Sequence, residues 1–184
     1  MALYSLLYKV TTGPVSTRRI LTPVAFLTFS AVVLAVIGCG ILLDRWLGFP
    51  PLLPGWRGLA AGIPLLALGA FFSGWSIAVF AGQRGTPVPF NPPPRLVVKG
   101  PYVRSRNPMM TGLFLMFFGV GFLFGSIGLT VIMTPVFIAL SIMGLKRVEE
   151  PELEKRLGAA YVEYRRKTPM FIPRLESVRR RVGP

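Results

Sequence analysis

The stretch "NPMMTGLFLMFFGVGFLFGSIGLTVIMTPVFIALSIMGL", residues 107–145, decides the fold because it runs for 39 residues without a charged side chain. A single helix of that length would measure about 58 Å at about 1.5 Å per residue, far more than a bilayer requires. The glycines of "GSIG", residues 125–128, favour a turn near its middle. The stretch therefore predicts a tight hairpin of two helices, at about 109–124 and 128–146.

Two further blocks, residues 23–43 and 58–83, also lack charged side chains. Each is long enough to cross a hydrocarbon core, which takes about 20 apolar residues in a helix. We therefore predict an all-α integral membrane protein with four transmembrane helices, of which the last two form the hairpin. Before them, "ALYSLLYKV" at residues 2–10 places its leucines on one helical face and predicts a short interfacial helix.

The basic residues are unevenly distributed along the chain. Its 21 Lys and Arg against 7 acidic residues give a net charge of +14, a balance that is also found in nucleic-acid-binding proteins. In a four-helix topology, however, 19 of the 21 fall on one side, in the N-terminal arm, the loop at 84–106 and the tail from residue 146. The positive-inside rule then places both termini and that loop in the cytoplasm. We expect membrane lipids as partners and no nucleic acid.

Several residue types and motifs are absent, and their absence excludes several classes of catalytic and cofactor site. The chain has no histidine, which excludes Ser-His-Asp and Cys-His nucleophilic catalysis and bis-histidine haem. Cys39 is the only cysteine, so no disulfide within the chain and none of the usual zinc sites can form, and we expect no metal. Neither a G-x-G-x-x-G nor a Walker glycine motif is present, so no dinucleotide or nucleoside-triphosphate site is indicated.

Two segments on the cytoplasmic side differ from ordinary loops. Residues 82–108 contain seven prolines, which rule out a regular helix, yet keep enough apolar side chains to predict a fixed, extended loop. In residues 146–174, Pro151 suits the first turn of a helix and disfavours helical geometry at Glu150, so we expect the fourth membrane helix to break there. Beyond the break an apolar stripe predicts a cytoplasmic amphipathic C-terminal helix. The stripe consists of Leu153, Leu157, Ala160, Tyr161 and Tyr164.

The groups that remain available suit S-adenosyl-L-methionine. Its carboxylate requires an arginine or a cluster of backbone N–H groups, and its ribose diol requires a carboxylate acceptor. Its sulfonium is attracted to aromatic faces. Methyl transfer is an in-line displacement that depends on positioning and a dry site, so a chain without histidine is not at a disadvantage.

Two sequence segments resemble a known family, and this resemblance supports S-adenosyl-L-methionine as the cofactor. "GTPVPFNPPPRLVVKGPYVRSRNPMMTG", followed one apolar hairpin later by "EEPELEKRLGAAYVEYRRKTPMFIPR", resembles the membrane-embedded methyltransferase superfamily. That group includes isoprenylcysteine carboxyl methyltransferases and phospholipid N-methyltransferases. The resemblance implies a cofactor-binding core at 82–174, preceded by the interfacial helix and first two membrane helices at 1–81 and followed by a basic tail at 175–184.

The resemblance also implies the site. In the family, the Arg-(His/Asn)-Pro region and an acidic pair form a cofactor pocket on the cytoplasmic side, and a lipid-like acceptor enters sideways between helices. Tyr161 is a further candidate, although tyrosines on an amphipathic stripe are commonly packing residues. The cofactor-binding positions that we predict are Gly100, Pro101, Tyr102, Arg106, Asn107, Pro108, Gly112, Glu149, Glu150 and Tyr161.

Glu150 and Arg147 are the predicted catalytic residues. Acidic residues at the C-terminal end of a helix oppose its dipole, which favours a functional role for Glu149 and Glu150. Arg147 lies three residues before Glu150 on the same helical face, where it either orients an acceptor carboxylate or phosphate or makes a structural ion pair. A carboxylate acceptor requires no base, whereas an amine must lose a proton, to Glu150 or to solvent. Arg106 equally fits the positive-inside marking of a helix end, and Asn107 equally fits a plain helix N-cap.

The sequence departs from the family pattern at several positions. Met110 stands where a tyrosine is frequent, Leu157 replaces the phenylalanine before a glycine, and Met170 replaces a basic residue. Asn107 stands where carboxyl methyltransferases tend to have histidine. Two other functions stay open, namely an NADPH-dependent membrane reductase and a non-enzymatic lipid-binding or assembly protein on the same fold.

Overall fold

The structure, a computed structural model, describes residues 15–82 and 95–172, together with Ser5, Tyr8, Lys9 and Thr12, and within residues 15–20 the backbone alone. Among the described residues all regular structure is helical. Most of the predicted interfacial helix at 2–10, the proline-rich stretch at 83–94 and the basic tail lie outside the described residues.

Five helices follow one another along the described chain. They are α1 (Val15–Leu47), α2 (Trp56–Ala81), α3 (Pro108–Leu123), α4 (Gly128–Leu157) and α5 (Ala159–Lys167). A 3₁₀ turn, Gly100–Val103, precedes α3. The uncharged blocks at 23–43 and 58–83 form the greater part of α1 and α2, as predicted.

The predicted hairpin is present. The long apolar stretch divides into α3 and α4, and Gly125 at the break has φ 62°, a left-handed conformation that glycine adopts without strain. Within the described residues, three segments are long and apolar enough to cross a membrane: Leu21–Leu47, Trp56–Ala81 and Gly128–Leu157. With 16 residues, α3 is shorter, so the count of four spans stays a prediction.

The predicted helix break at Glu150 is wrong. Glu150 has helical φ −60° and ψ −43°, and α4 continues through Pro151 to Leu157. The backbone is π-helical over Leu145–Glu149, and this wider turn accommodates the proline ring and its missing N–H. The chain turns instead at Gly158, whose φ is 62°, so the predicted apolar stripe is divided between α4 and α5.

Glycines bring α2 and α3 close together. Gly62 and Gly69 of α2 are buried, as are Gly112 and Gly119 of α3. A Cβ on Gly112 would lie 2.6 Å from the carbonyl oxygen of Gly69, and one on Gly119 would lie 3.0 Å from that of Gly62. Small residues at such spacing allow apolar helices to approach closely in a membrane. The contact fixes the first turn of α3 against α2.

The first turn of α4 is fixed against α1. The backbone N–H of Gly128 donates to Asp44 Oδ1 at 2.6 Å, and a carboxylate at a helix N-terminus is favourable. A Cβ on Gly40 would lie 2.6 Å from Leu129 Cα, so the two backbones are in direct contact. At the other end of α4, Lys155 Nζ lies 4.3 Å from the centroid of the Tyr8 ring. Tyr8 therefore lies beside the C-terminal end of α4.

Candidate functional site

The Gly-Pro-Tyr turn forms one side of the site. Gly100 has φ 56°, a left-handed conformation that favours glycine. A Cβ there would also lie 2.9 Å from Val79 Cγ2, so both the backbone conformation and the packing favour glycine. The backbone N–H of Tyr102 donates to the carbonyl of Lys99 at 3.1 Å. The Tyr102 side chain is buried, with its ring centroid 5.0 Å from that of Phe80 in α2.

Arg106 and Glu150 form a buried ion pair at the centre of the site. Arg106 Nη1 donates to Glu150 Oε1, and the two side chains are only 12% and 13% exposed. Arg165 Nη1 of α5 lies 3.7 Å from Glu150 Oε2 and 3.1 Å from Glu154 Oε2. Glu150 therefore lies between two guanidinium groups that come from different parts of the chain.

Tyr161 of α5 packs beside this ion pair. It is buried, and burial raises the pKa of its hydroxyl to about 12, with the charge of Glu150 raising it further and a hydrogen bond with Arg106 lowering it. The hydroxyl therefore stays protonated at neutral pH. Arg106 Nε is buried and has no hydrogen-bond partner among the described residues. A buried donor without a partner costs about 1–3 kcal/mol, so this N–H suits an additional acceptor.

A second tyrosine attaches α5 to the turn. Tyr164 Oη donates to the carbonyl oxygen of Tyr102 at 2.6 Å, and burial raises the Tyr164 pKa above its ordinary value. The Tyr102 hydroxyl is hydrogen-bonded with Ser76 and lies within electrostatic reach of Glu149. Burial is the main cause that raises the pKa of Tyr102 to about 12.

The segment after α5 runs alongside the Arg-Asn-Pro region. The backbone N–H of Arg106 donates to the Pro169 carbonyl at 2.9 Å, and that of Asn107 donates to the Met170 carbonyl at 3.0 Å. Asn107 occupies the N-cap position of α3, but its side chain donates to Met170 O at 3.3 Å and makes no capping bond. The amides of Arg106 and Asn107 are thus engaged within the protein.

This site lies within a stretch that a family model matches. The model, described as phospholipid methyltransferase, matches residues 58–160, more than half of the chain. The chain belongs to the phospholipid methyltransferase family. The match begins in α2 and ends in α5, so it contains both Arg106 and Glu150. No curated protein and no solved structure matches the chain.

Family membership makes the chain a membrane methyltransferase, as the resemblance predicted, and indicates a lipid substrate. The apolar helices agree with an integral membrane protein, because α1 and α2 expose large hydrophobic side chains over most of their length. Phe26 and Leu34 are exposed by more than half and Leu68 by 49%, a distribution that suits contact with lipid.

The structure places the predicted site residues in four different surroundings. Arg106, Glu150 and Tyr161 meet in one cluster, with Glu149 half-buried beside it. Gly112 is buried against α2, where a side chain would clash with Gly69. Arg147 is exposed, and the recorded ion-pair partners of Glu150 in the described part of the chain are two other arginines. The Gly-Pro-Tyr turn and the start of α3 hold the remaining predicted residues, of which Pro101, Tyr102 and Pro108 are buried; they are Gly100, Pro101, Tyr102, Asn107 and Pro108.

Sequence reasoning missed Arg165 and the role of Met110. Arg165 reaches Glu150 only because Gly158 turns the chain back, and no spacing along the sequence signals that approach. Met110 packs against the cluster of Val36, Leu113, Phe117 and Leu129, which accounts for an apolar residue where the family frequently has tyrosine. The Glu152–Arg156 pair, 2.8 Å apart, has the i, i+4 spacing that sequence analysis can find.

Proposed function

We propose that the chain transfers a methyl group from S-adenosyl-L-methionine to a lipid-soluble acceptor at the cytoplasmic face of the membrane. The acceptor is either an isoprenoid carboxylate or a phospholipid amine. Members of the matched family generally use this cofactor, and the matched stretch contains the cluster described above. The observation that carries the proposal is the buried Arg106–Glu150 pair beside Tyr161, with one guanidinium N–H that has no partner in the described part of the chain.

The residues present fit the cofactor. Arg106 Nε is a buried donor suited to the carboxylate of its amino-acid portion. The Glu150 carboxylate has about four lone-pair positions, so it can accept ribose hydroxyls in addition to two arginines. The rings of Tyr161 and Tyr164, 6.4 Å apart, offer π faces that attract a sulfonium. Because the amides of Arg106 and Asn107 are engaged, these residues would contact the cofactor through their side chains.

When bound, the cofactor supplies an electrophilic methyl group on a positively charged sulfur. The protein then has to orient the acceptor in line and exclude water, and burial of the cluster serves the second requirement. In our proposal Arg147, exposed on the same helix as Glu150, orients an acceptor carboxylate or phosphate. For an amine acceptor, Glu150 or solvent takes the proton that must leave.

Calorimetry with S-adenosylhomocysteine in detergent tests the proposal. We expect wild-type protein to bind it with micromolar affinity and Arg106→Lys and Glu150→Gln to weaken binding by about tenfold or more, the loss of one charge-assisted bond. Glu163→Gln is the matched control, because Glu163 pairs with Lys167 on the exposed side of α5. Binding of NADPH instead would support the reductase, and binding of neither ligand would support a non-enzymatic lipid-binding protein.

A second assay identifies the acceptor. Purified protein, total lipid extract and cofactor carrying a radiolabelled methyl group are incubated together, and labelled lipids are separated and analysed by mass spectrometry. Label that mild base releases as methanol indicates a carboxyl ester, whereas stable label on a headgroup nitrogen indicates an amine. Absence of label in every lipid fraction, despite tight S-adenosylhomocysteine binding, would contradict a lipid acceptor.

A further inference from the structure

A cavity of about 270 Å³ lies on the α2 side of the Gly-Pro-Tyr turn, and Pro101 and Pro108 line it on that side. Four of its nine lining residues are aromatic: Phe71, Phe72 and Trp75 from α2, and Phe171 from the segment after α5. Ligand pockets usually measure about 300–1,000 Å³, so a space of this size suits part of one hydrocarbon chain better than a whole cofactor.

Two of the lining residues lie on an exposed surface of α2, which faces lipid if α2 spans the membrane. Phe71 is 58% exposed and Trp75 is 39% exposed, and their ring centroids are 5.5 Å apart. Trp75 lies six residues before the end of α2 at Ala81, roughly 9 Å along the axis. Tryptophan near the end of a membrane helix is typical of the headgroup level. This side of the cavity therefore lies where hydrocarbon chains meet their phosphates.

Arg104 is the charged residue among those that line the cavity. It is exposed, and no carboxylate of the described chain lies within ion-pair distance of it. The polar side chains beside it are already engaged, since Ser105 Oγ donates to Met170 O at 3.2 Å and Thr111 Oγ1 to Phe171 O at 3.2 Å. A single unpaired guanidinium above an aromatic cavity is complementary to an anionic group attached to a hydrocarbon chain.

We propose that this cavity is a phospholipid-binding site, with part of one acyl chain among the aromatic rings and the lipid phosphate on Arg104. Phosphate is the anionic group that a bilayer presents in greatest number at this level, and arginine binds it in a bidentate manner. Arg104 and Arg106 thus serve different sites, because Arg106 points to Glu150 while Arg104 lines the cavity. The proposal rests on contact of α2 with lipid and is independent of methyl transfer.

The three tryptophans of the chain permit a direct test. Trp46→Phe combined with Trp56→Phe leaves Trp75 as the only indole. The protein in a maltoside detergent is titrated with phosphatidylcholine brominated on one acyl chain, whose bromines quench indole fluorescence on contact. We expect saturable quenching of Trp75. Adding Arg104→Gln should raise the half-saturating lipid concentration about three- to fivefold, the upper range for one exposed charge pair.

Lys99→Gln and Arg95→Gln are the matched controls, because both residues are exposed and basic and belong to the same segment. We expect each to leave the half-saturating concentration unchanged within the error of the titration. A brominated fatty acid of the same chain length should quench with a higher half-saturating concentration than the phospholipid.

Several results would overturn the proposal: quenching of Trp75 that rises without saturation, an equal effect of Arg104→Gln and Lys99→Gln, or equal half-saturation by fatty acid and phospholipid. The last would assign the site to a free carboxylate lipid. Circular dichroism of each variant confirms that it is folded. Because S-adenosylhomocysteine calorimetry should not respond to Arg104→Gln, failure of this proposal is distinguishable from failure of the proposed methyl transfer.

Discussion

Replacing Glu150 by alanine should both destabilise the protein and abolish cofactor binding. The substitution leaves Arg106 buried without a counter-charge, whereas Arg165 keeps Glu154 at 3.1 Å. Breaking a buried ion pair on one side costs about 3–5 kcal/mol, and with both side chains almost nine-tenths buried little of this is screened by solvent. For a chain of this length, that loss lowers the denaturation temperature by about 6–20 °C.

The structural and functional parts of this effect can be separated. Removing both charges with Arg106→Met and Glu150→Leu leaves no uncompensated charge, and such replacements are commonly neutral or even stabilising. We expect the double variant to recover more than half of the lost denaturation temperature. It should nevertheless fail to bind S-adenosylhomocysteine, because the donor and acceptor groups proposed for the cofactor are gone.

The assay is thermal denaturation followed by tryptophan fluorescence in maltoside, paired with calorimetry on the same samples. Glu163→Ala is the control, since its pair with Lys167 is largely exposed and its loss should not change the denaturation temperature. A double variant that regains stability and binds S-adenosylhomocysteine like the wild type would refute the cofactor site. A Glu150→Ala variant as stable as the wild type would refute the buried pair.

Three further predictions follow from the packing, the burial and the charge distribution. Gly40→Val should lower the denaturation temperature because its Cβ would lie 2.6–2.7 Å from Leu129 atoms. Gly38→Val should not, because no atom of the described residues lies within 4 Å of a Cβ there. Burial raises the pKa of Tyr161 to about 12 in the folded protein, against about 10 in an unfolded chain. The stability contributed by the protonated hydroxyl is therefore complete below about pH 10 and is lost as the pH rises towards 12. Tyr161→Phe should therefore reduce the loss of stability in alkaline titration followed by circular dichroism. If the site faces the cytoplasm, Lys167→Cys in a Cys39→Ser background should react with an impermeant maleimide in inverted vesicles and not in right-side-out ones.

The membrane helices could be predicted because their signal is local. Uncharged runs of 20 or more residues identify apolar helices irrespective of what packs against them, and "GSIG" gave the hairpin break through the conformational freedom of Gly125. The helix break predicted at Glu150, before Pro151, was wrong for a physical reason. Proline disfavours a regular α-turn before it, but the π-helical turn at Leu145–Glu149 accommodates the ring and keeps the helix continuous.

The candidate site was only partly predictable, because its residues come from segments distant in sequence. The motif resemblance found Arg106 and Glu150, which the structure joins across 44 positions. Arg165 and the carbonyls of Pro169 and Met170 carry no motif, and their approach depends on the turn at Gly158. Arg147, by contrast, was predicted from helical spacing to lie beside Glu150. In the structure Glu150 forms ion pairs with Arg106 and Arg165 instead.

The unbroken α4 gives α1 a role that its sequence does not signal. Asp44 and Gly40 of α1 fix the first turn of α4, and Glu150 lies 22 residues later, roughly 33 Å along the same helix. Because no flexible break intervenes, the position of Glu150 opposite Arg106 depends on the contact between α1 and α4 at the other end. A site with one carboxylate on α4 and its arginine before α3 requires both helices to be held in register. The glycine contact of α2 with α3 and the Asp44 contact of α1 with α4 meet that requirement.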